Sequence, residues 1–182
     1  SHPDDRSEPA TLHGLQLWVA LPSDDEDGEP SFEHHPAASV PTIELPSASI
    51  RLVAGTGWGA TSPVGVSSPL VLAQIDLVDA AQVSLDAEHP ERAVLAVDGR
   101  VTVDAVALDP GQLAVITPGS RPVVRGPGRC MLLGGDPIGP RRIWWNFVHS
   151  DPDRIEEAKA AWAAQRFPLV PDDHDPWVPA PA

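Results

Sequence analysis

The sequence has one cysteine, three phenylalanines, no long apolar run and fewer than half as many bases as acids, and each shortage excludes something. A lone Cys130 leaves no intramolecular disulfide, and its place ahead of Met131, Leu132 and Leu133 reads as a small core side chain. A reducing, cytoplasmic setting is expected. No segment approaches the roughly 20 apolar residues of a bilayer-spanning helix. The N-terminal SHPDDRSEPA is too polar for a signal peptide, so a soluble protein without a membrane partner is expected. Twelve Lys and Arg against 26 Asp and Glu leave a formal net charge of −14, which repels phosphate backbones and argues against direct nucleic-acid binding.

What is present points to a turn-rich folded domain. The 182 residues suit one ordinary domain with tails. Apolar residues make up 42%, and the 22 prolines, well above the roughly 5% of average usage, disfavour long helices. Residue 1 is serine, and SHPDDRSEPATLHG has neither targeting character nor strand periodicity. The expectation is a sequence that starts within a longer polypeptide.

Period-two alternation marks the strands. LQLWVAL at 15–21 places Leu15, Leu17, Val19 and Leu21 on one face and predicts a first strand ended by Pro22. SDDEDGEP carries five acids and no base, and the loop 22–31 is expected to be solvated and mobile. It lacks the spaced ligands of a calcium loop. TIEL at 42–45 and SIRLVAG at 49–55 alternate again. The glycines Gly55, Gly57 and Gly59 have no following helix, which separates them from a dinucleotide-binding loop and makes them a connection between strands. From residue 70, short aliphatic runs follow one another with Asp-Gly, Pro-Gly and Gly-Pro turns between them, and Asp98-Gly99 is the clearest hairpin signal. Many short strands with almost no helix imply an antiparallel sandwich or barrel.

One helix is expected, over 151–165, with Ser150 as cap, Asp151 and Asp153 at the positive end of the dipole and Pro152 in the first turn. Ile155, Ala158 and Trp162 share its apolar face. After Phe167 a proline-rich tail follows, with Trp177 as its anchor. Just before the helix, Trp144 and Trp145 stand side by side. On a strand they face opposite ways. Ile143, Trp145 and Phe147 are assigned to the barrel interior, and Trp144 to an external partner, either the helix or another domain.

LHGLQLWVALP at 12–22, FEHHPA at 32–37, SPLVLAQIDL at 68–77, LLGGDPIG at 132–139 and IWWNFV at 143–148 resemble, in order, segments of the pirin family. That resemblance implies an all-β, antiparallel cupin-type (jelly-roll) barrel with one C-terminal amphipathic helix and a Pro-rich tail. Pirins are bicupins whose first barrel holds a metal, usually iron, through three histidines and one glutamate, while the second normally binds none. This sequence resembles the second half. The implied division is 1–13 as a remnant of the first cupin domain and linker, 14–148 as the C-terminal barrel, and 149–182 as terminal helix and tail.

Against that family, His2 stands where the last histidine ligand of the first barrel is expected, twelve positions before Gly14, and Asp4 where its carboxylate is expected. They are the candidate metal ligands, an incomplete set, since a non-haem iron site needs about three protein ligands. No cofactor is expected in this chain alone; iron or another divalent metal is implied if the first barrel is present. Within the second barrel a working cupin motif, counted back from Gly99, would put its glutamate at Arg92, its paired histidines near Leu85, Asp86, Ala87 and Glu88, and its last histidine near Ala114. None is imidazole.

Glu88, His89 and Glu91 are out of register with that motif and read as a surface turn. Glu33, His34 and His35 are adjacent in an extended segment, where neighbours diverge and do not chelate one ion. No nucleophile elbow, zinc CxxC pair or phosphate loop is found. Two functions stay open. One is the C-terminal, metal-free half of a metal-dependent quercetin 2,3-dioxygenase, inactive alone, with the first cupin barrel or a homodimer partner against it. The other is a non-catalytic protein-binding or redox-responsive transcriptional co-regulator module with a regulatory protein as partner.

Overall fold

A computed structural model describes residues 14–169 and 177–181. The strands in chain order are β1 (Thr42–Leu45), β2 (Ala48–Gly57), β3 (Ala60–Thr61), β4 (Leu70–Leu77), β5 (Gln82–Ser84), β6 (Glu91–Gly99), β7 (Val101–Val103), β8 (Val106–Leu108), β9 (Leu113–Ile116), β10 (Val123–Arg125) and β11 (Gly128–Gly135). They form two antiparallel sheets. The larger has the order β1-β2-β4-β11-β6-β9 with β3 on β2, and the smaller the order β5-β10-β7-β8. The core lies between them. The period-two alternation of β4 and β6 puts Val71, Ala73, Ile75 and Leu77, then Val94 and Ala96, on the inner face with Ile50, Leu52, Cys130 and Leu132. Val83, Val101, Val103, Leu108 and Val124 of the smaller sheet close over them. Each such aliphatic side chain, fully buried, contributes about 1.5–3 kcal/mol. The result is the all-β antiparallel cupin-type barrel that the resemblance implied.

Three expectations need correction. Residues 15–21 are extended but pair with no strand. The segment lies along the outside of the larger sheet, where Leu15 and Leu17 border a shallow pocket with Val53, Leu72 and Met131. Its alternating aliphatics rest on a sheet face instead of joining a ladder. Asp98-Gly99 does not make a hairpin: β6 pairs with β11 and β9, and β7 with β10 and β8. The turn carries the chain from one sheet to the other. Gly99 has φ +70°, and a Cβ there would come within 2.6 Å of the Gly128 Cα, so the glycine serves a close crossing of backbones. The hairpin turn falls at Asp104, φ +51°, between β7 and β8.

The tandem tryptophans are the third. They lie on a separate two-stranded hairpin, β12 (Arg142–Trp144) and β13 (Phe147–His149), with Trp145 in its turn at φ +50°. Ile143 is 67% exposed. The assigned trio therefore stays out of the barrel, because a two-residue turn breaks the strand alternation at Trp145. Instead Trp144, Trp145 and Phe147 pack with Trp162 and Phe167 into an aromatic cluster beside the helix α1 (Pro152–Ala163), and Lys159 sits 4.5 Å over the Trp144 ring. The helix is the external partner of Trp144. The cap of α1 is Asp151, accepting from the Asp153 N–H, one residue later than expected. Beyond it, Trp177 stacks on Trp162, whose Nε1–H donates to the Val178 carbonyl at 2.9 Å. No helix among the described residues is long and apolar enough to cross a membrane.

Candidate functional site

The inner-facing phase of β6 begins with a charge: Arg92, then Val94 and Ala96. Arg92 is 4% exposed, and its two terminal nitrogens donate to the carbonyls of Asp86 and Ser120, tying together the turns on either side of the barrel mouth. Gly134 lies opposite Arg92 on β11, and a Cβ there would come within 2.8 Å of the Arg92 Cγ. The missing side chain makes room for the arginine stem.

His89 is likewise 4% exposed, which corrects the reading of residues 88–91 as a surface turn. Neither ring nitrogen has a hydrogen-bond partner among the described residues, and the Arg92 Nε has none either. The nearest carboxylate to the imidazole is Asp136, with Oδ1 3.6 Å from Nδ1. Both side chains border a small cavity of about 10 Å³, lined also by Thr56, Trp58, Asp86 and Glu88. Its size is that of a single water. The alternation of β6 puts Arg92 inside; His89, grouped with Glu88 and Glu91 in the sequence, carries no local signal of its burial.

This mouth is where the family resemblance would place a cupin metal, and the donors do not fit one. Among the described residues no group of three or more His, Cys, Asp or Glu could hold a metal ion. A fixed guanidinium stands at the carboxylate position, where it would repel a second cation. Ala114 is on β9 against the core. His2 and Asp4 lie outside the described residues. His35 Nε2 contacts Glu33 Oε2 at 3.0 Å, an exposed pair two residues apart.

The outer face of the larger sheet is also apolar. Register aligns Leu72, Leu133, Ala93 and Val115 in one cross-strand row, and Gln74, Met131, Leu95 and Leu113 in the next. A charged row closes the face, where Arg129 Nε meets Asp76 at 2.6 Å. The 14–21 segment covers one end, leaving Met131 only 6% exposed; at the other end Leu113 and Val115 stand 51% and 81% exposed. A sheet apolar on both faces is built to be covered on both.

The acidic loop anchors that segment and is not simply solvated. The Glu26 side chain is 4% exposed: its carboxylate accepts from the Ser150 N–H at 2.8 Å and the Ser150 hydroxyl at 2.5 Å and pairs with Arg141 Nε at 2.6 Å. Arg141 also donates to the Leu21 carbonyl. Burial acts to raise the Glu26 pKa, but the two Ser150 hydrogen bonds and the charges of His149 and Arg141 outweigh it and hold the carboxyl below its usual range. Ser150 is thereby spent on Glu26, which is why Asp151 caps the helix.

Comparison with known proteins agrees with this architecture. The model of the pirin C-terminal cupin domain matches residues 72–168. A pirin-like protein of Caulobacter vibrioides is 45% identical over 97% of this chain and 62% of its own length. A crystal structure of a quercetin 2,3-dioxygenase from Acinetobacter baumannii superposes with a TM-score of 0.81 at 30% identity, covering 91% of this chain and 57% of that one. A second, from the same organism, gives 0.77 at 22% identity, over 82% and 55%, and speaks for the fold. The chain spans about 60% of the length of these relatives. It belongs to the pirin family, and the part of that family it carries is the C-terminal cupin domain.

Proposed function

We propose that this chain is the metal-free, supporting half of a two-barrel, metal-dependent dioxygenase of the quercetin 2,3-dioxygenase type, with the catalytic metal in an upstream barrel that the relatives' greater length provides for. The observation that carries it is the pairing of a filled barrel with a bare outer face. The interior is packed with aliphatic side chains, and the mouth cavity of about 10 Å³ is far too small for a flavonol. The two exposed rows ending in Val115 and Leu113 give a neighbouring domain a place to sit. The 14–21 segment, through which any upstream domain is tethered, already runs over that same face. In this reading His2 and Asp4 complete an iron site whose other ligands lie upstream.

The alternative of a redox-responsive co-regulator draws no support from Cys130, which is fully buried and has its pKa pushed up to about 12 by burial and the Asp76 charge. Metal analysis with a quercetin turnover assay, on this 182-residue chain and on the longer polypeptide, tests the proposal. The longer protein is expected to hold metal and turn over quercetin, and the chain alone to do neither. A stoichiometric metal held within residues 14–181 overturns the reading.

A further inference from the structure

We propose that the mouth of this barrel is a binding site for one small monovalent anion of chloride size, held between the Arg92 guanidinium and the His89 imidazole. Arg92 is a permanent cation, 4% exposed, and among the described residues no carboxylate pairs with it; its terminal nitrogens meet only backbone carbonyls. A buried charge without a counter-charge is costly, and folded proteins supply one. The Arg92 Nε–H is also unaccepted. His89 adds a second unmet donor: both of its nitrogens are unpartnered, so whichever carries the proton presents an N–H that no described protein atom accepts.

The cavity beside them has room for one atom-sized occupant. A water there would accept the two N–H groups but bring no charge of its own; a halide accepts them and pairs with the guanidinium directly. The rim sets the selectivity. Asp86 and Glu88 line the same cavity and are exposed, with the Asp86 carboxylate held by the Glu88 N–H at 3.0 Å and the Glu88 carboxylate by the Thr56 hydroxyl at 3.4 Å. Asp136 stands 3.6 Å from the imidazole. These carboxylates repel a divalent phosphate or sulfate about twice as strongly as a halide, and the size of the cavity excludes larger organic acids of single charge. The site thus occupies the place of a metal centre with the opposite sign of ligand.

Crystals of the full-length protein with bromide in place of chloride give the direct test. An anomalous peak within hydrogen-bond reach of Arg92 Nε and His89 is expected. A peak at surface arginines alone, an adventitious ion only, overturns the proposal, as does a water or nothing at the mouth. In solution, replacing sulfate by chloride at constant ionic strength removes a general stabilisation from any protein, so the difference is read: the wild-type Tm should rise by about 3 °C relative to that of Arg92→Met. An equal response of the variant overturns the proposal, and if Arg92→Met does not fold, the bromide experiment decides on the wild type. Neither readout involves metal content or quercetin turnover, so its failure leaves the reading of the upstream barrel untouched.

Discussion

The Glu26 carboxylate meets the Arg141 Nε at 2.6 Å, with 4% and 7% of the two side chains exposed. The contact binds the acidic loop to the segment that leads into the tryptophan hairpin, and through Ser150 to the start of α1. Removing one partner strands the other charge. Arg141→Met is therefore expected to cost about 2–3 kcal/mol, read from urea denaturation. Glu26→Gln with Arg141→Met should cost less than the sum of the single changes, and full additivity would refute the coupling.

The same carboxylate gives an acid-side pH dependence. Its folded pKa lies below the unfolded one. The stability it adds is present above the unfolded glutamate range and is lost as pH falls through the folded value. Asp27, held low first by its hydrogen bond from Arg154, has the same sign. Thermal unfolding between about pH 5 and pH 3 should show wild-type Tm falling more steeply than that of Glu26→Gln. Parallel slopes would remove Glu26 as a cause.

The barrel was legible in the sequence where alternation and burial coincide, as in SIRLVAG, which became part of β2, and in the run from residue 70, which became β4, β6 and β11. Alternation at 15–21 misled because it reports two unlike faces and does not say whether a ladder partner exists. Asp98-Gly99 misled for a related reason: the dipeptide signals a reversal, and only the sheet order shows that it joins different sheets. His89, Arg92 and Glu26 come together with partners remote in sequence, and no local pattern encodes such meetings. In the sequence Arg92 is singled out only as the position a cupin glutamate would take, counted back from Gly99, and its burial is not read from that count.

Two glycines separate strain from collision. Gly99 has φ +70° and a close neighbour, while Gly111 has φ +87° and nothing within 4 Å of an added Cβ. Gly111→Ala should cost about 1–2 kcal/mol from backbone strain alone, and Gly99→Ala about 2–4 kcal/mol because Gly128 must also move. Equal costs in chemical denaturation would mean that the two sheets part freely at that crossing.

Cys130 should be silent in the native protein. Its thiol is fully buried with a pKa of about 12, so a disulfide reagent at pH 8 is expected to label it only after denaturant is added. Because the folded pKa is raised, the stability linked to this group is whole below the unfolded thiol range and declines as pH rises toward 12. Rapid labelling without denaturant would contradict the packing of β11 between β4 and β6.

The bare end of the larger sheet predicts how the chain behaves alone. Leu113 and Val115 belong to β9, at the edge of the sheet, and their rows continue through Leu95, Ala93 and Leu133. Without a covering domain this face should drive self-association at high micromolar concentration, detectable as dimers in sedimentation. Leu113→Ser with Val115→Ser removes apolar surface from the most exposed part of the face, and should weaken association at least about tenfold while leaving the inward-facing core untouched. In the longer polypeptide the same pair of changes should instead loosen the contact between domains, seen as faster proteolysis between them. A monodisperse monomer at high concentration, or a double variant that associates as strongly as the parent, would show that this face is not the one a partner covers.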